Sequence, residues 1–308
     1  MADVNTTANY EFSNNLELVL NQTKSLLMDT VETQPCTSAE KETVKDLIGN
    51  TQPEEADERN GDLKETDPGH DRVWIVKPNE LYFNKFVDGA DQLATAISLD
   101  GAYTLAAMAT VNRAKDDQIL AGIYGSIISG KDGTTTTPFP SGNIVPVTTG
   151  GASGAQRMNT AKLRAANKML DQNFVEATDQ KYMILDAEQN DDLLSEIPAT
   201  SSDFTGAFGG VFDNGKIVKM LGWNFIHMEL RNPMLRAMTK GLTIDGSGYT
   251  KTPFWVKSGV RAGIWQALRT AIKDQPSKVN SRSVFAGTTI AATRTQAGKV
   301  GIILNSEA

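Results

Sequence analysis

The sequence is poor in the side chains on which most site chemistry depends. Its 308 residues include one cysteine, Cys36, and two histidines, His70 and His227. A lone cysteine excludes an intrachain disulfide and suits a reducing compartment. These three residues stand too far apart in sequence to suggest an ordinary zinc site. No run approaches the roughly 18 consecutive apolar residues of a membrane span, so no membrane partner is expected. The opening residues, MADVNTTANYEFSNN, lack the basic and apolar regions of a secretory signal, which points to synthesis and retention in the cytoplasm. Basic charge is not in excess either. The net charge is −7, and no concentrated basic stretch marks a reader of nucleic-acid sequence.

The charge that is present is unevenly spread. Residues 1–70 hold 15 Asp and Glu against five Lys and Arg, a balance of −10, so the rest of the chain carries +3. This is an acidic arm on a near-neutral body. Two stretches of the arm place apolar residues at helical spacing. Leu16, Val19, Leu20, Thr23, Leu26 and Leu27 form the first, with Ser13 or Asn14 as a cap. The second runs from Ser38 to Ile48, with Val44, Leu47 and Ile48 as its stripe and Gly49 as its stop. Each is too short to stand alone in water, so each is expected to bury its stripe on another surface. Residues 50–71 have almost no apolar content and read as an exposed linker.

The body reads as helix plus sheet. Val73, Ile75, Leu81 and Phe83, interrupted by Lys77-Pro78-Asn79, suggest an extended, projecting hairpin. From Leu99 to Ile128 a 3.6-residue period predicts one helix of roughly 40–45 Å, weakened towards its end by Gly122 and Gly125. The Gly-, Thr-, Ser- and Pro-rich passage 129–157 reads as turn and loop. A compact α/β stretch follows, with a helix Thr160–Asp171 capped by Asn159, a strand Tyr182–Leu185, a helix Asp186–Glu196 and short strands around Gly215 and Gly222. Phe254, Val256, Val260, Ala262, Ile264, Leu268 and Ile272 then keep a period of two, as do Val284–Ala292 and Val300–Leu304, which predicts long strands. Ile264–Lys273 also suits one face of a helix, but the longer alternation favours a strand. Together these describe an elongated α+β body with a compact lobe.

Patterns that could carry chemistry each have a plainer reading. Gly125, Gly130 and Lys131 fit the spacing of a phosphate loop. Asp132, however, stands where that loop needs Ser or Thr, and the segment follows a helix rather than a buried strand. Gly150–Gly154 reads as a flexible loop. Cys36 has no histidine near it in sequence, and His227 sits in an apolar strand as a core or interface residue. Asp116 and Asp117, beside Arg113 and Lys115, read as a solvated helix face with intrahelical ion pairs. No catalytic residue, cofactor or metal ligand is expected.

One longer pattern has a recognisable counterpart. Tyr103–Gly125 (YTLAAMATVNRAKDDQILAGIYG), followed by Gly130-Lys131-Asp132-Gly133-Thr134-Thr135, resembles a tailed-bacteriophage major capsid family. In that family an Ala-rich helix carries Arg-Ala-x-Asp-Asp and ends near a Gly-Lys-Asp-Gly-Thr loop. The segments AKLRAANKML (161–170), KYMILDAEQNDDLL (181–194), Gly215–Phe225 and GTTIAATR (287–294) agree with it in order and spacing. The resemblance implies the Hong Kong 97-type capsid fold. It divides the chain into an acidic arm (1–61), an extended loop (62–97), a peripheral domain with a long spine helix (98–149), an axial domain (150–250) and returning peripheral strands (251–308).

It also implies self-assembly into hexamers and pentamers of a shell around double-stranded DNA, contacted without sequence preference, and no catalysis. Portal, scaffold and decoration proteins are the further partners implied, with assembly in the host cytoplasm. Candidates for contact between copies are Leu16, Leu20 and Leu27 in the arm, Arg72, Trp74, Lys77 and Phe83 in the loop, and Arg113, Asp116 and Asp117 on the spine. The alternatives are an encapsulin-like compartment or a gene-transfer particle on the same fold and, in another class, a nucleotide-binding enzyme built on Gly125–Lys131.

Overall fold

The computed structural model describes residues 24–37, 39–49, 51–55, 65–87, 99–151, 153–196, 211–275 and 281–307. Leu16, Leu20 and most of the first arm stretch lie outside them. In chain order the elements are β1 (Glu32–Pro35), β2 (Lys41–Ile48), β3 (His70–Val76), β4 (Leu81–Val87), α1 (Leu99–Tyr124), β5 (Ile127–Ser129), β6 (Thr135–Thr137) and β7 (Ile144–Val145). There follow α2 (Thr160–Gln172), β8 (Lys181–Leu185), α3 (Ala187–Glu196), β9 (Val211–Asp213), β10 (Lys216–Met220) and β11 (Trp223–His227). The last are α4 (Arg236–Thr239), β12 (Thr250–Val256), β13 (Val260–Gln275), β14 (Ser281–Arg294) and β15 (Val300–Asn305). The described residues form two units, a larger one drawn from 26–79, 115–265 and 289–307 and a smaller one drawn from 24–25, 80–87, 99–114, 266–275 and 281–288.

The larger unit is organised by a seven-stranded sheet in the order β7-β15-β12-β8-β11-β10-β9. Alternation along its central strands feeds two cores, one on each face. Met183, Leu185, Phe254, Val256 and Ile303 pack under Leu163, Ala166 and Leu170 of α2 and Leu193 of α3. Their neighbours Ile184, Trp255 and Ile302 face the other way, against Ile119, Leu120, Ile123 and Tyr124 of α1 and against Leu27 and Val31. Gly301 pairs with Phe254 across the sheet, and a side chain there would meet the Phe254 ring at 2.1 Å. The helix α2 begins as its sequence suggests, with the Asn159 side chain accepting the Lys162 N–H at 2.9 Å.

A second sheet of the larger unit runs β2-β3-β5-β6. Here residues 41–48 form a strand and not the helix their spacing suggested. A bulge between Thr43 and Lys45 explains the misreading. It places Val44 and Leu47 on one side although they are three residues apart, which imitates a helical stripe. The hairpin expected of β3 and β4 is also absent. β3 pairs with β2 and β5, whereas β4 pairs with β14.

Helix α1 has 26 residues, about 39 Å at the standard rise. It stops at Tyr124, and Ile127 and Ile128 belong to β5. Gly122 does not fray it: a side chain there would lie 2.4 Å from the Ala292 carbonyl, so the glycine permits close approach of helix and strand. The helix end is closed by Arg294, which is fully buried and donates to the carbonyls of Ile123 and Gly125 at 2.6 and 2.5 Å. Its guanidinium lies 4.7 Å from the Phe139 ring. Burial pushes its pKa down to about 10, yet it remains a cation set against the negative end of the helix.

The smaller unit is a thin layer. Ala107 and Val111 of α1 pack on Phe83 of β4 and Ala286 of β14, and Tyr103 packs on Val87 and Val284. Register is fixed by seven antiparallel pairs from Arg282↔Val87 to Thr288↔Leu81. The outer residues of β13, expected as a strand, are one.

Candidate intersubunit surface

The smaller unit exposes large apolar side chains on several elements at once. Tyr82 is 67% exposed and Phe86 43%; on α1 Leu105 is 58% exposed, and on β13 Ile272 is 55%. Met108 and Leu268 are exposed as well. A shallow cavity of about 130 Å³ opens between Thr104, Ala107, Thr270, Ile272, Val284 and Ala286. Leu268 and Ile272 continue the alternation of β13 that is buried at Val260 and Ala262, but in the smaller unit the stripe is left open to solvent. The turn Lys257–Gly259 separates this stripe from Phe254 and Val256, which lie in β12 of the seven-stranded sheet and face the other core.

The edge of β13 is open too. Its pairing with β1 covers Arg261–Ile264, and among the described residues no strand pairs with that edge beyond Ile264. Leu268 and Ile272 beside this unpaired edge form a surface suited to a partner. Tyr82 and Phe86 lie on β4, on the face of the sheet opposite Phe83, which packs on α1. The unit also carries cations: Lys85 lies 5.8 Å from the Tyr103 ring, Arg269 lies 5.6 Å from the Phe285 ring, and Arg282 pairs with Asp274 at 3.4 Å. Tyr82 and Phe285 stack with centroids 5.8 Å apart.

The residues singled out from sequence separate into three groups. Leu27, Asp116 and Asp117 are not on the surface. Leu27 is fully buried in its own chain's core. The two aspartates are 0% and 6% exposed, which overturns the solvated-face reading. Each accepts backbone N–H groups at the start of a helical turn. Asp116 takes those of Leu26 and Leu27 at 3.0 and 3.1 Å, ahead of the short turn Met28–Thr30. Asp117 takes that of Ala237 at 3.2 Å, at the start of α4. Backbone N–H groups at a helix start are natural anion partners, and burial raises the Asp117 carboxyl above its usual range while these N–H groups oppose the shift.

Trp74 and Arg72 are half-buried and serve their own sheet. The Trp74 indole donates to the Gly130 carbonyl at 2.7 Å, and Arg72 pairs with Asp46 while lying 5.7 Å from the Trp74 ring. Phe83 and Arg113 are half-buried in the smaller unit, where Arg113 donates to the Thr110 hydroxyl at 3.2 Å. Lys77 is exposed. The sequence reading missed Tyr82, Leu105 and Met108. The available signal was an apolar residue out of phase with its strand or helix.

Nothing in the described residues builds a reaction centre. Gly130 and Gly133 lie in the turn that joins β5 to β6, with the Gly133 N–H donating to the Gly130 carbonyl at 3.2 Å and the Trp74 ring 3.0 Å from the Gly133 side-chain position. A phosphate loop would open a helix, and this turn joins two strands. Cys36 is half-buried, and burial, aided by Glu42, pushes its thiol up to about 11, which suppresses the thiolate. His227 has Nε2 3.0 Å from the Ile217 carbonyl, and burial lowers its pKa, so the neutral ring donates there.

The architecture is that of a viral shell subunit of the Hong Kong 97 type. It matches the capsid of Cyanophage P-SCSP1u with a TM-score of 0.71 at 12% identity, over 98% of this chain and 94% of that chain. The capsid of Ralstonia phage GP4 matches with a TM-score of 0.66 at 14% identity, over 99% and 97%. The capsid of a native GTA particle matches with a TM-score of 0.62 at 13% identity, again over 99% and 97%. No match is found among curated protein sequences. The sequence of residues 4–307 fits the phage capsid protein family, and the chain belongs to it. It is a major capsid protein, a structural component of the virion shell and not an enzyme.

Proposed function

We propose that copies of this chain close an icosahedral shell around double-stranded DNA, and that the exposed apolar surface of the smaller unit is where one copy meets the next. The observation that carries this reading is the exposure of Leu268 and Ile272 beside the open edge of β13, with Tyr82 and Phe86 of β4 and Leu105 and Met108 of α1 exposed elsewhere on the same unit. A closed shell needs heterologous contacts, so the surface that receives this patch is a different one on the neighbouring copy. The cations Lys85 and Arg269 of this unit suit the acidic first 70 residues of such a neighbour, and exposed Lys77 of the loop division 62–97 lies shortly before Tyr82 in sequence. Family likeness supports the division into arm, loop, peripheral and axial parts. It also supports portal, scaffold and decoration proteins as partners, and assembly in the host cytoplasm. The net charge of −7 favours loose contact with packaged DNA.

Particles assembled from mixed isotopically light and heavy chains, cross-linked at lysine and read by mass spectrometry, test the placement. Mixed-isotope cross-links from Lys85 or Lys273 to a neighbouring chain are expected. Links only within one chain at those positions would refute the proposed contact.

A further inference from the structure

A buried polar chain in the larger unit ends on a pair of carboxyl groups. Lys162 of α2, fully buried, donates from Nζ to the carbonyls of Gln156 and Leu304 at 2.7 and 2.8 Å, and to Asn305 Oδ1 at 2.9 Å. Asn305 Nδ2 donates to the Thr252 hydroxyl at 2.8 Å, and that hydroxyl lies 3.0 Å from Gln189 Oε1. Gln189 Nε2 then faces two acids at once, Glu307 at 3.1 Å and Asp186 at 3.4 Å. Asp186 is 2% exposed and accepts the Leu230 N–H at 2.9 Å. Glu307 is also paired with Arg231, which donates to the Thr250 hydroxyl at 2.7 Å and the Gly248 carbonyl at 2.9 Å.

Among the described residues, the charged groups around Asp186 leave it without a cation of its own. Glu229, after β11, accepts the Ala187 N–H at 2.9 Å and faces Asp186 with like charge. Glu307 faces it from the segment after β15, and Arg231, the arginine bonded there among the described residues, is committed to Glu307. Tyr124 of α1 donates its hydroxyl to the Lys251 carbonyl, and burial raises its pKa so that it stays protonated. Lys162 is separated from Asp186 by Asn305, Thr252 and Gln189, and the charge acting on it is that of Asp192. Two acids bridged by one amide and served by one arginine are best satisfied when one of them keeps its proton.

We propose that Asp186, Gln189 and Glu307 form a proton-controlled clasp that fastens residues 305–307 to the α3 end of the seven-stranded sheet, closed while Asp186 is protonated and loosened when it ionises. Burial and the neighbouring carboxylates raise the Asp186 pKa to about 7. A carboxyl whose folded pKa lies above its unfolded value stabilises the closed form at low pH, and that contribution fades as pH rises through the folded value. The opening equilibrium therefore grows roughly tenfold per pH unit between pH 5 and pH 7 and levels off above it.

Hydrogen exchange on the full chain, corrected for the intrinsic pH dependence of exchange, reads this at residues 301–307. The wild type should lose roughly 100-fold of protection between pH 5 and pH 7. Asp186→Asn, whose amide mimics the protonated acid, should hold protection nearly constant over the same interval. A flat wild-type profile overturns the clasp whatever the variants do. An Asp186→Asn profile as steep as the wild type overturns it too, because a purely structural role would lower protection without changing the slope.

Discussion

The two units of this subunit solve the problem of burial in opposite ways. The larger one wraps both faces of a seven-stranded sheet and closes Trp223, Trp255 and Phe254 to solvent completely. The described residues of the smaller one form two shallow clusters under one helix and leave Tyr82, Leu105 and Ile272 more than half exposed. A monomeric enzyme of this size would have little reason to keep the second arrangement. In a shell it is useful, because stability of the subunit and stability of the assembly then rest on different residues.

That separation can be broken at chosen points, and the largest effect is expected in the larger unit. Trp255→Ala empties a fully buried site and removes the indole donor to the Thr30 carbonyl; chemical denaturation should show a loss of about 3–5 kcal/mol. Asp116→Ala leaves the buried Leu27 N–H and the part-buried Leu26 N–H without their acceptor and should cost about 2–4 kcal/mol, measured the same way. A solvated aspartate at that position would cost almost nothing, so this variant also tests the corrected placement. Phe83→Ala, in the thin layer, should cost about 1–2 kcal/mol. Leu268→Ser should change subunit stability by less than about 0.5 kcal/mol while weakening assembly, a combination that light scattering against concentration would reveal.

The sequence made some of this plain and hid the rest for physical reasons. Asn159 as a helix cap and the alternation of Val260–Ile272 are local signals, and the structure follows both. The same even-numbered phase at Phe254 and Val256 misled, because the turn Lys257–Gly259 ends one strand there and starts another in a different sheet. Val44 and Leu47 misled because a bulge changes the phase of a strand without leaving a mark in composition. Asp116 and Asp117 misled because charge pattern on a helix says nothing about which segments later close over it. Leu26, Leu27 and Ala237, whose N–H groups hold those carboxylates, are 90, 89 and 120 residues away in sequence. Lys162, Gln189 and Asp186 have ordinary surroundings in sequence, and only the sheet brings them into line with Asn305 and Glu307. The exposed surface was half legible: Leu268 and Ile272 were visible as a stripe, but their lack of cover belongs to the tertiary structure.

Sedimentation velocity on Leu268→Asp/Ile272→Asp beside the wild type tests the central claim most directly, with circular dichroism as the control for folding. The wild type should form large closed particles, and the variant should remain a small, fully folded species at the same concentration. Variant particles equal in size and yield to the wild type would contradict the account, as would a wild type that stays monomeric at high concentration.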